Sequence, residues 1–525
     1  MPKEAPSKYT DDGRIHAINP LTWEVMATVE PTPTDEVPAL VAECREAQRE
    51  WVQRPIHQRT DALKQVLERV VDRAEHLAEV VRKEHGKSTI EALASEVTDA
   101  ATVLSTHIAR DAKWLKDTRV PIDPLIYPGK RGRIERRPRG VIALITPWNY
   151  PIAIPMRTIV PALVAGNGVV FKPSEHSLLT GREIAALFEG ILPRGLLQLV
   201  VGAGEVGAAL TSSPGVDAIA FTGSVRTGKR IAAAAAENLV PVSLELGGKD
   251  AAIVCDDADL DRAVPAIAFG AFHNSGQNCA GIERVYVQSG VYEEFTQRLV
   301  AATEALRTSG DNAEVREIGP MCNELQFDIV RKHLDEAEAA GAKVLVGGES
   351  TGRGFMVTPA VVVDAPPDCA LWREETFGPV VPVGRFETID EAVEAANDSP
   401  YGLGATVFSG DIARGEAIAQ RLEVGMVVVN NSHLFMGSIP TSPWCGVKHS
   451  GYGITGSHLA MEFLTHPKLV VVDKNKALEL WWFPFNATYL TLTRTNLAGL
   501  VTRGVAKLGV LMKLLGLIPK RWKTP

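Results

Sequence analysis

The chain has 525 residues, more than one ordinary hydrophobic core accommodates, so two or three domains are expected. With 45% hydrophobic and 22% charged residues it is not a disordered chain, and its net charge of −8 excludes general nucleic-acid binding, which needs a basic face against phosphates. The opening stretch is polar (Lys3, Glu4, Lys8, Asp11, Asp12, Arg14) and lacks the apolar run of a secretory signal. From Thr34 to Leu104 the apolar residues recur with helical period, interrupted at Arg54-Pro55 and Gly86. Leu125 to Arg139 reads as extended chain, with Lys130, Arg131, Arg133, Arg136, Arg137 and Arg139 against Glu135, the pattern of a solvated strand face. From Gly140 to Val254 short apolar runs (Val141 to Ile145, Val169 to Phe171, Leu197 to Val201, Ala218 to Phe221, Val242 to Leu246) alternate with Ala-rich helical segments. Strands spaced by helices predict βαβ units and a parallel sheet, and a second alternating region runs from Ala251 to about Asn430.

The last stretch, 475–525, is a different object. It carries eight basic residues (Lys476, Arg494, Arg503, Lys507, Lys513, Lys520, Arg521, Lys523) against Glu479, a net +7 that leaves −15 on the other 474 residues. Leu480-Trp-Trp-Phe-Pro-Phe485 is apolar and aromatic. From Asn496 to Leu517 the spacing predicts one amphipathic helix, with Leu497, Leu500, Val501, Val505, Leu508, Leu511, Met512 and Leu515 on one face and Arg503, Lys507 and Lys513 on the other. No uncharged apolar stretch reaches the ~18–20 residues that span a bilayer. Two uses stay open: peripheral contact with an anionic membrane through 480–523, or packing on the body or a neighbouring subunit; a third, placement over the substrate entrance, is compatible with either.

Chemistry concentrates in a few short segments. Cys279 lies in Asn274-Ser-Gly-Gln-Asn-Cys-Ala-Gly281; a lone cysteine is most often a small core hydrophobe, but this polar segment with Gly276 and Gly281 does not read as core. As a nucleophile it needs a site that favours the thiolate or supplies a base. Glu245 ends an apolar run before Gly247-Gly248; burial there raises a carboxyl pKa toward the range that activates water, whereas a solvent-facing strand residue stays ordinary. Asn149, in Pro147-Trp-Asn-Tyr-Pro151, offers an amide to a developing oxyanion, unless the segment is only a stiff turn. For a dinucleotide, Gly202-Ala-Gly-Glu-Val-Gly207 matches GxGxxG but lacks an acid at the end of the next strand, so it reads as a plain strand-to-helix turn. Phe221-Thr-Gly-Ser-Val-Arg-Thr-Gly-Lys229 is the better phosphate site, opening a helix whose N-terminus attracts anions. Lys172 and Glu175 follow the strand ending at Phe171 and suit ribose hydroxyls; the Glu175 carboxylate repels a 2′-phosphate and favours NAD over NADP. The six cysteines hold no CxxC pair and no histidine at ligand spacing, so no disulfide framework and no metal are expected, and a reducing cytoplasm is the natural compartment.

Taken in order, Pro147-Trp-Asn-Tyr-Pro151, Gly166-Asn-Gly-Val-Val-Phe-Lys-Pro-Ser-Glu175, Phe221-Thr-Gly-Ser224, Glu245-Leu-Gly-Gly-Lys249, Gly276-Gln-Asn-Cys279, Glu374-Glu-Thr-Phe-Gly-Pro-Val380, Pro400-Tyr-Gly-Leu403 and Gly446-Val-Lys-His-Ser-Gly451 resemble the motif series of the aldehyde dehydrogenase superfamily, over about residues 15–473. The resemblance implies an α/β fold with a Rossmann-like cofactor domain (1–124 and 140–246), an α/β catalytic domain (247–440), a small β oligomerisation extension (125–139 and 441–474) and the C-terminal extension 475–525. It implies Cys279 as nucleophile, Glu245 as activator of the deacylating water, and Asn149 with the Cys279 N–H as oxyanion hole. Around NAD it gathers Thr146, Pro147, Trp148, Lys172, Ser174, Glu175, Gly204, Phe221, Thr222, Gly223, Ser224, Thr227, Leu246 and Gly247, with Glu375 and Phe377 at the nicotinamide half. Tyr150 and Arg157 fall at substrate positions; an arginine at the second resembles a carboxylate clamp for semialdehydes, or else faces a neighbouring helix. Thr158 stands where many hydrolytic members carry a lysine. The implied activity is oxidation of a small-molecule aldehyde, aliphatic or an acid-bearing semialdehyde, by a homodimer or homotetramer. The competing readings are a CoA-acylating enzyme, which does not need a base at Glu245, and an inactive membrane- or partner-binding member.

Overall fold

The computed structural model describes residues 5–124, 127–308 and 314–521; Lys3, Glu4, Leu125 and Lys523 lie outside them. The N-terminal periodicity becomes four long helices, Val37–Trp51, Ile56–Asp72, Ala74–His85 and Thr98–Trp114. Pro55 caps the start of the second, where its missing N–H costs nothing, and Gly86 ends the third in the left-handed region at φ +73°.

Five parallel strands follow, in the spatial order Leu197–Leu199, Gly168–Lys172, Val141–Ile145, Ala218–Thr222, Val242–Glu245. Alternate side chains serve two separate cores. Ile142, Leu144, Val169 and Phe171 pack with the N-terminal helices, while Val141, Ala143, Ile145 and Val170 pack on the opposite face with Val206, Leu210 and Ile231. Burial on both faces explains why these strands read as unbroken apolar runs rather than as alternating ones. The strand order reverses at Val141–Ile145, the chain running out through 168–172 and 197–199 on one side and then through 218–222 and 242–245 on the other, so loops leaving the C-terminal ends diverge and open a crevice there.

The second α/β region is a seven-stranded sheet in the order Lys343–Val346, Ala360–Val363, Val380–Phe386, Ile282–Gln288, Asp250–Val254, Gly404–Phe408, Met426–Val429. All neighbours are parallel except the first pair. Both large sheets belong to one compact unit, 1–116 with 136–467. Residues 441–467 join it rather than the β extension: Leu246 N–H donates to the Ser450 carbonyl (3.0 Å) and Gly453 N–H to the Leu244 carbonyl (2.8 Å).

A second unit holds 117–135 with 468–525. Within the segment expected to be extended at 125–139 lies the strand Lys130–Pro138, the middle of a three-stranded sheet between Thr465–Asp473 and Thr118–Val120 and antiparallel to the latter. The tail departs from expectation. Its single amphipathic helix over 496–517 is instead two helices, Ala487–Val501 and Val505–Leu517, broken at Gly504, whose φ of +63° stops the first and reverses the chain. The break removes the common face on which the apolar residues were expected to align, and the two helices contact each other as a hairpin.

Candidate active site

Four of the five parallel strands deliver a motif at their C-terminal ends. Val141–Ile145 leads into Thr146, Pro147, Trp148 and Asn149; Gly168–Lys172 into Ser174 and Glu175; Ala218–Thr222 into Gly223 and Ser224; Val242–Glu245 into Leu246 and Gly247. Two backbone bonds lock these ends side by side: Thr146 N–H to the Lys172 carbonyl (3.1 Å) and Gly223 N–H to the Glu245 carbonyl (3.0 Å). Ser224 caps the helix Val225–Glu237, its hydroxyl accepting from Thr227 N–H, which leaves the remaining first-turn N–H groups to an anion. Gly204 opens a second helix, Gly204–Ser212, after the Leu197–Leu199 strand. Lys172 is buried, and burial lowers its pKa against the opposing charges of Glu175 and Glu205. Burial alone would raise the Glu175 carboxyl, yet the nearby charges of His176 and Lys172 bring it below the usual carboxylate value, so it is ionised at neutral pH.

Cys279 reaches this edge from the other sheet. The loop before it has three successive left-handed residues, Asn274 (φ 53°), Ser275 (56°) and Gly276 (71°), a strained backbone of the kind held at functional sites. This segment, expected to lie outside the core, is buried: Asn274, Ser275, Gln277 and Asn278 are each less than a tenth exposed. Its polar groups are consumed internally. Ser275 Oγ donates to the Gly319 carbonyl, Gln277 Nε2 to the Asn274 and Pro320 carbonyls, and Asn278 Nδ2 to Tyr150 Oη at 2.8 Å. Tyr150 in turn meets His273 Nδ1 at 3.0 Å. Asn149 Nδ2 donates to the Gln277 main-chain carbonyl (3.1 Å), while the Asn149 main-chain carbonyl accepts from Asn274 Nδ2 (3.0 Å). Asn149 is therefore fixed against the Cys279 loop.

The three acids of the site sit together in the interior. Burial, then the negative charges of Glu375, Asp250 and Glu245, raise the Cys279 thiol, so the protein alone disfavours the thiolate. Burial holds Glu245 well above the usual carboxylate range, and both its oxygens lack a hydrogen-bond partner. Burial and Glu283 push Glu375 up to about 8, partly offset by the Gly248 N–H that it accepts at 2.9 Å. A cavity of about 20 Å³ lies against Glu245, bordered also by Arg157, Thr158, Thr222, Ser243 and Thr455, on a side that Cys279 does not line. Glycine is required where these pieces converge: a Cβ on Gly248 would overlap the Cys279 carbonyl oxygen, and one on Gly276 would overlap the Gly378 carbonyl.

Phe377 stands edge-on to Trp148 with centroids 5.5 Å apart, so the 375–377 loop closes over the 146–149 loop. Residues that sequence reasoning did not single out hold that loop. Glu283 accepts from Thr376 N–H, Phe377 N–H (both 2.8 Å) and the buried Lys249 ammonium (2.6 Å), and Gln326 Nε2 donates to the Thr376 and Phe377 carbonyls. The signal was present, since Glu283 is a carboxylate at the start of an apolar strand, as Glu245 is at the end of one. Arg157 does not offer a free charge: its guanidinium is ion-paired with Asp99 on the helix Thr98–Trp114, the second of the two placements considered. Among the described residues no group of His, Cys, Asp or Glu is arranged to hold a metal.

The sequence profile of the aldehyde dehydrogenase family matches residues 8–470. The chain belongs to that family. It is similar to 4,4′-diapolycopene aldehyde oxidase of Methylomonas sp, with 36% identity over 476 residues, 90% of this chain and 89% of the relative. Chloroplastic betaine aldehyde dehydrogenase of Beta vulgaris is 36% identical over 474 residues, 88% of this chain and 93% of the relative. Among solved structures, betaine aldehyde dehydrogenase from Staphylococcus aureus in complex with NAD+ superposes with a TM-score of 0.84 at 31% identity, covering 91% of this chain and 95% of that one. The protein is accordingly an oxidoreductase that acts on aldehydes with NAD(P)+, on an aldehyde dehydrogenase fold.

Proposed function

We propose that the protein oxidises an uncharged, aliphatic aldehyde to its carboxylate with NAD+, through a thioester on Cys279 that water hydrolyses. One observation carries the reading: Glu245 is buried with both oxygens unpartnered, and it is near enough for its charge to act on the Cys279 thiol. A buried carboxyl without partners costs several kcal/mol, roughly, and persists where the chemistry uses it. The Cys279 sulfur adds to the aldehyde carbon, and the oxygen that becomes negative lies with the Asn149 amide and the Cys279 N–H. NAD+, held by the residues named above, would supply the hydride acceptor and a positive charge that favours the thiolate. Glu245 then takes a proton from the water that attacks the thioester carbon; the C–S bond breaks, the carboxylate leaves, and the thiol is regenerated. Glu245 suits water as acceptor, and this favours hydrolysis over acyl transfer to CoA.

The cofactor fits the residues present. Thr146 Oγ1 is a buried orphan at the strand edge, the helix start at Ser224 presents N–H groups to a pyrophosphate, and Glu375 and Phe377 close over the Trp148 side. The ionised Glu175 opposes a 2′-phosphate, so kcat/KM with NAD+ exceeds that with NADP+ by about tenfold or more, roughly 1.4 kcal/mol, and Glu175→Ala narrows the ratio. Equal use of both cofactors by the unmodified protein contradicts this assignment. Arg157, matched by Asp99, leaves no clamp for an acid-bearing semialdehyde, and this supports the uncharged substrate.

The working forms of Cys279 and Glu245 are ionised, and burial raises both pKa values. Each working form is therefore populated only as pH rises, so turnover of a saturating aldehyde climbs from pH 6 into the alkaline range. A stopped or steady-state pH profile that is flat, or that falls with pH, contradicts the roles given to these groups. The strand Thr465–Asp473 is the edge of its sheet and exposes Leu469, Val471 and Val472, which suits pairing with the same strand of a second copy. Light scattering on the full chain is expected to give a dimer or tetramer mass; a monomer mass excludes that pairing. The six free cysteines fit a reducing, cytoplasmic setting.

A further inference from the structure

The hairpin of Ala487–Val501 and Val505–Leu517 exposes many of its large apolar side chains to solvent. Val501 is 82% exposed, Val505 88%, Leu500 75% and Met512 65%, and the preceding Phe483 80%. This is not a loose end. Arg521 closes the segment on itself, its guanidinium donating to the Leu480 (3.0 Å), Trp482 (2.8 Å) and Pro484 (2.7 Å) carbonyls and lying over the Tyr489 ring, while Asn486 Nδ2 donates to the Arg521 carbonyl (3.0 Å). Gly499 faces Val510, and the missing Cβ lets the two helices cross closely. An ordered element that leaves so large an apolar surface uncovered is built to be covered by something else.

We infer that this hairpin docks the enzyme on an anionic membrane surface, inserted into one leaflet. Three observations select that occupant. No acidic residue follows Glu479, and Arg494, Arg503, Lys507 and Lys513 are exposed, so the element complements anionic headgroups. The same uniform charge opposes a hairpin-to-hairpin contact between two copies, where like charges meet. Trp481 and Trp482 flank the apolar part, amphipathic rings of the type found at the headgroup level. The helices have 15 and 13 residues, about 22 and 20 Å at ~1.5 Å per residue, shorter than the ~30 Å hydrocarbon core. No helix among the described residues is long and apolar enough to cross a membrane, so the hairpin enters and returns on one side. The inference does not depend on which aldehyde is oxidised.

The test is flotation of the full chain with vesicles of phosphatidylcholine alone and of phosphatidylcholine mixed with phosphatidylglycerol, followed by NADH formation from a short soluble aldehyde and by light scattering. The unmodified protein floats with the anionic vesicles and less with the neutral ones, and added salt weakens it. Arg503→Gln with Lys507→Gln and Lys513→Gln lowers partition roughly a hundredfold, about fivefold per charge removed. Leu508→Glu with Leu511→Glu, at exposed positions, abolishes flotation while oligomer mass and turnover stay unchanged. Failure of the unmodified protein to float with anionic vesicles overturns the proposal. So does a Leu508→Glu, Leu511→Glu protein whose oligomer mass drops, because the hairpin then covers a neighbouring copy.

Discussion

Cys279→Ala is expected to lose aldehyde-dependent NADH formation by at least about a thousandfold, with the fold intact, because the bond that holds the acyl group no longer forms. The alanine is a mild change to the scaffold. The sulfur's recorded polar contact is Asn278 Oδ1 at 3.8 Å, and the loop is held by Asn274, Ser275, Gln277 and Asn278 instead. Thermal unfolding should therefore match that of the unmodified protein, and the remaining rate reports only binding and the oxyanion donors. Turnover within a few-fold of the unmodified protein would remove Cys279 from the reaction.

The second large effect belongs to Glu245→Gln. The amide keeps the shape of the side chain but accepts no proton from water, so hydrolysis slows by about 10²–10⁴-fold while sulfur addition and hydride loss proceed. Rapid mixing should then give a burst of about one NADH per site followed by a slow steady rate, and the rise of turnover with pH should flatten. The substitution also replaces a buried carboxyl whose oxygens have no partner, so it is not expected to destabilise the protein. Loss of the burst together with the steady rate would assign Glu245 to the first half of the reaction instead.

Much of this arrangement was legible before any coordinates. The apolar runs at Val141 to Ile145 and Ala218 to Phe221 became the strands Val141–Ile145 and Ala218–Thr222, because strands buried on both faces leave continuous apolar runs bounded by turn residues. The motifs fell at the C-terminal ends of those strands for the same topological reason. What stayed hidden depended on contacts between distant segments. The Cys279 loop read as surface because it is polar, yet its side chains satisfy one another in the interior. The pairing of Arg157 with Asp99, 58 positions earlier, leaves no trace in local pattern. In the tail, helical spacing ran straight through Gly504, and only the left-handed backbone there shows one predicted helix to be a hairpin.

The most direct test of the account is the mass of the Glu245→Gln protein mixed with NAD+ and an aliphatic aldehyde, quenched in acid and digested. The peptide containing Cys279 should carry the mass of the acyl group, sensitive to hydroxylamine and absent without NAD+ or in the Cys279→Ala background. Full oxidation of the aldehyde with no acyl mass on that peptide, or an adduct on another residue, would contradict a thioester at Cys279.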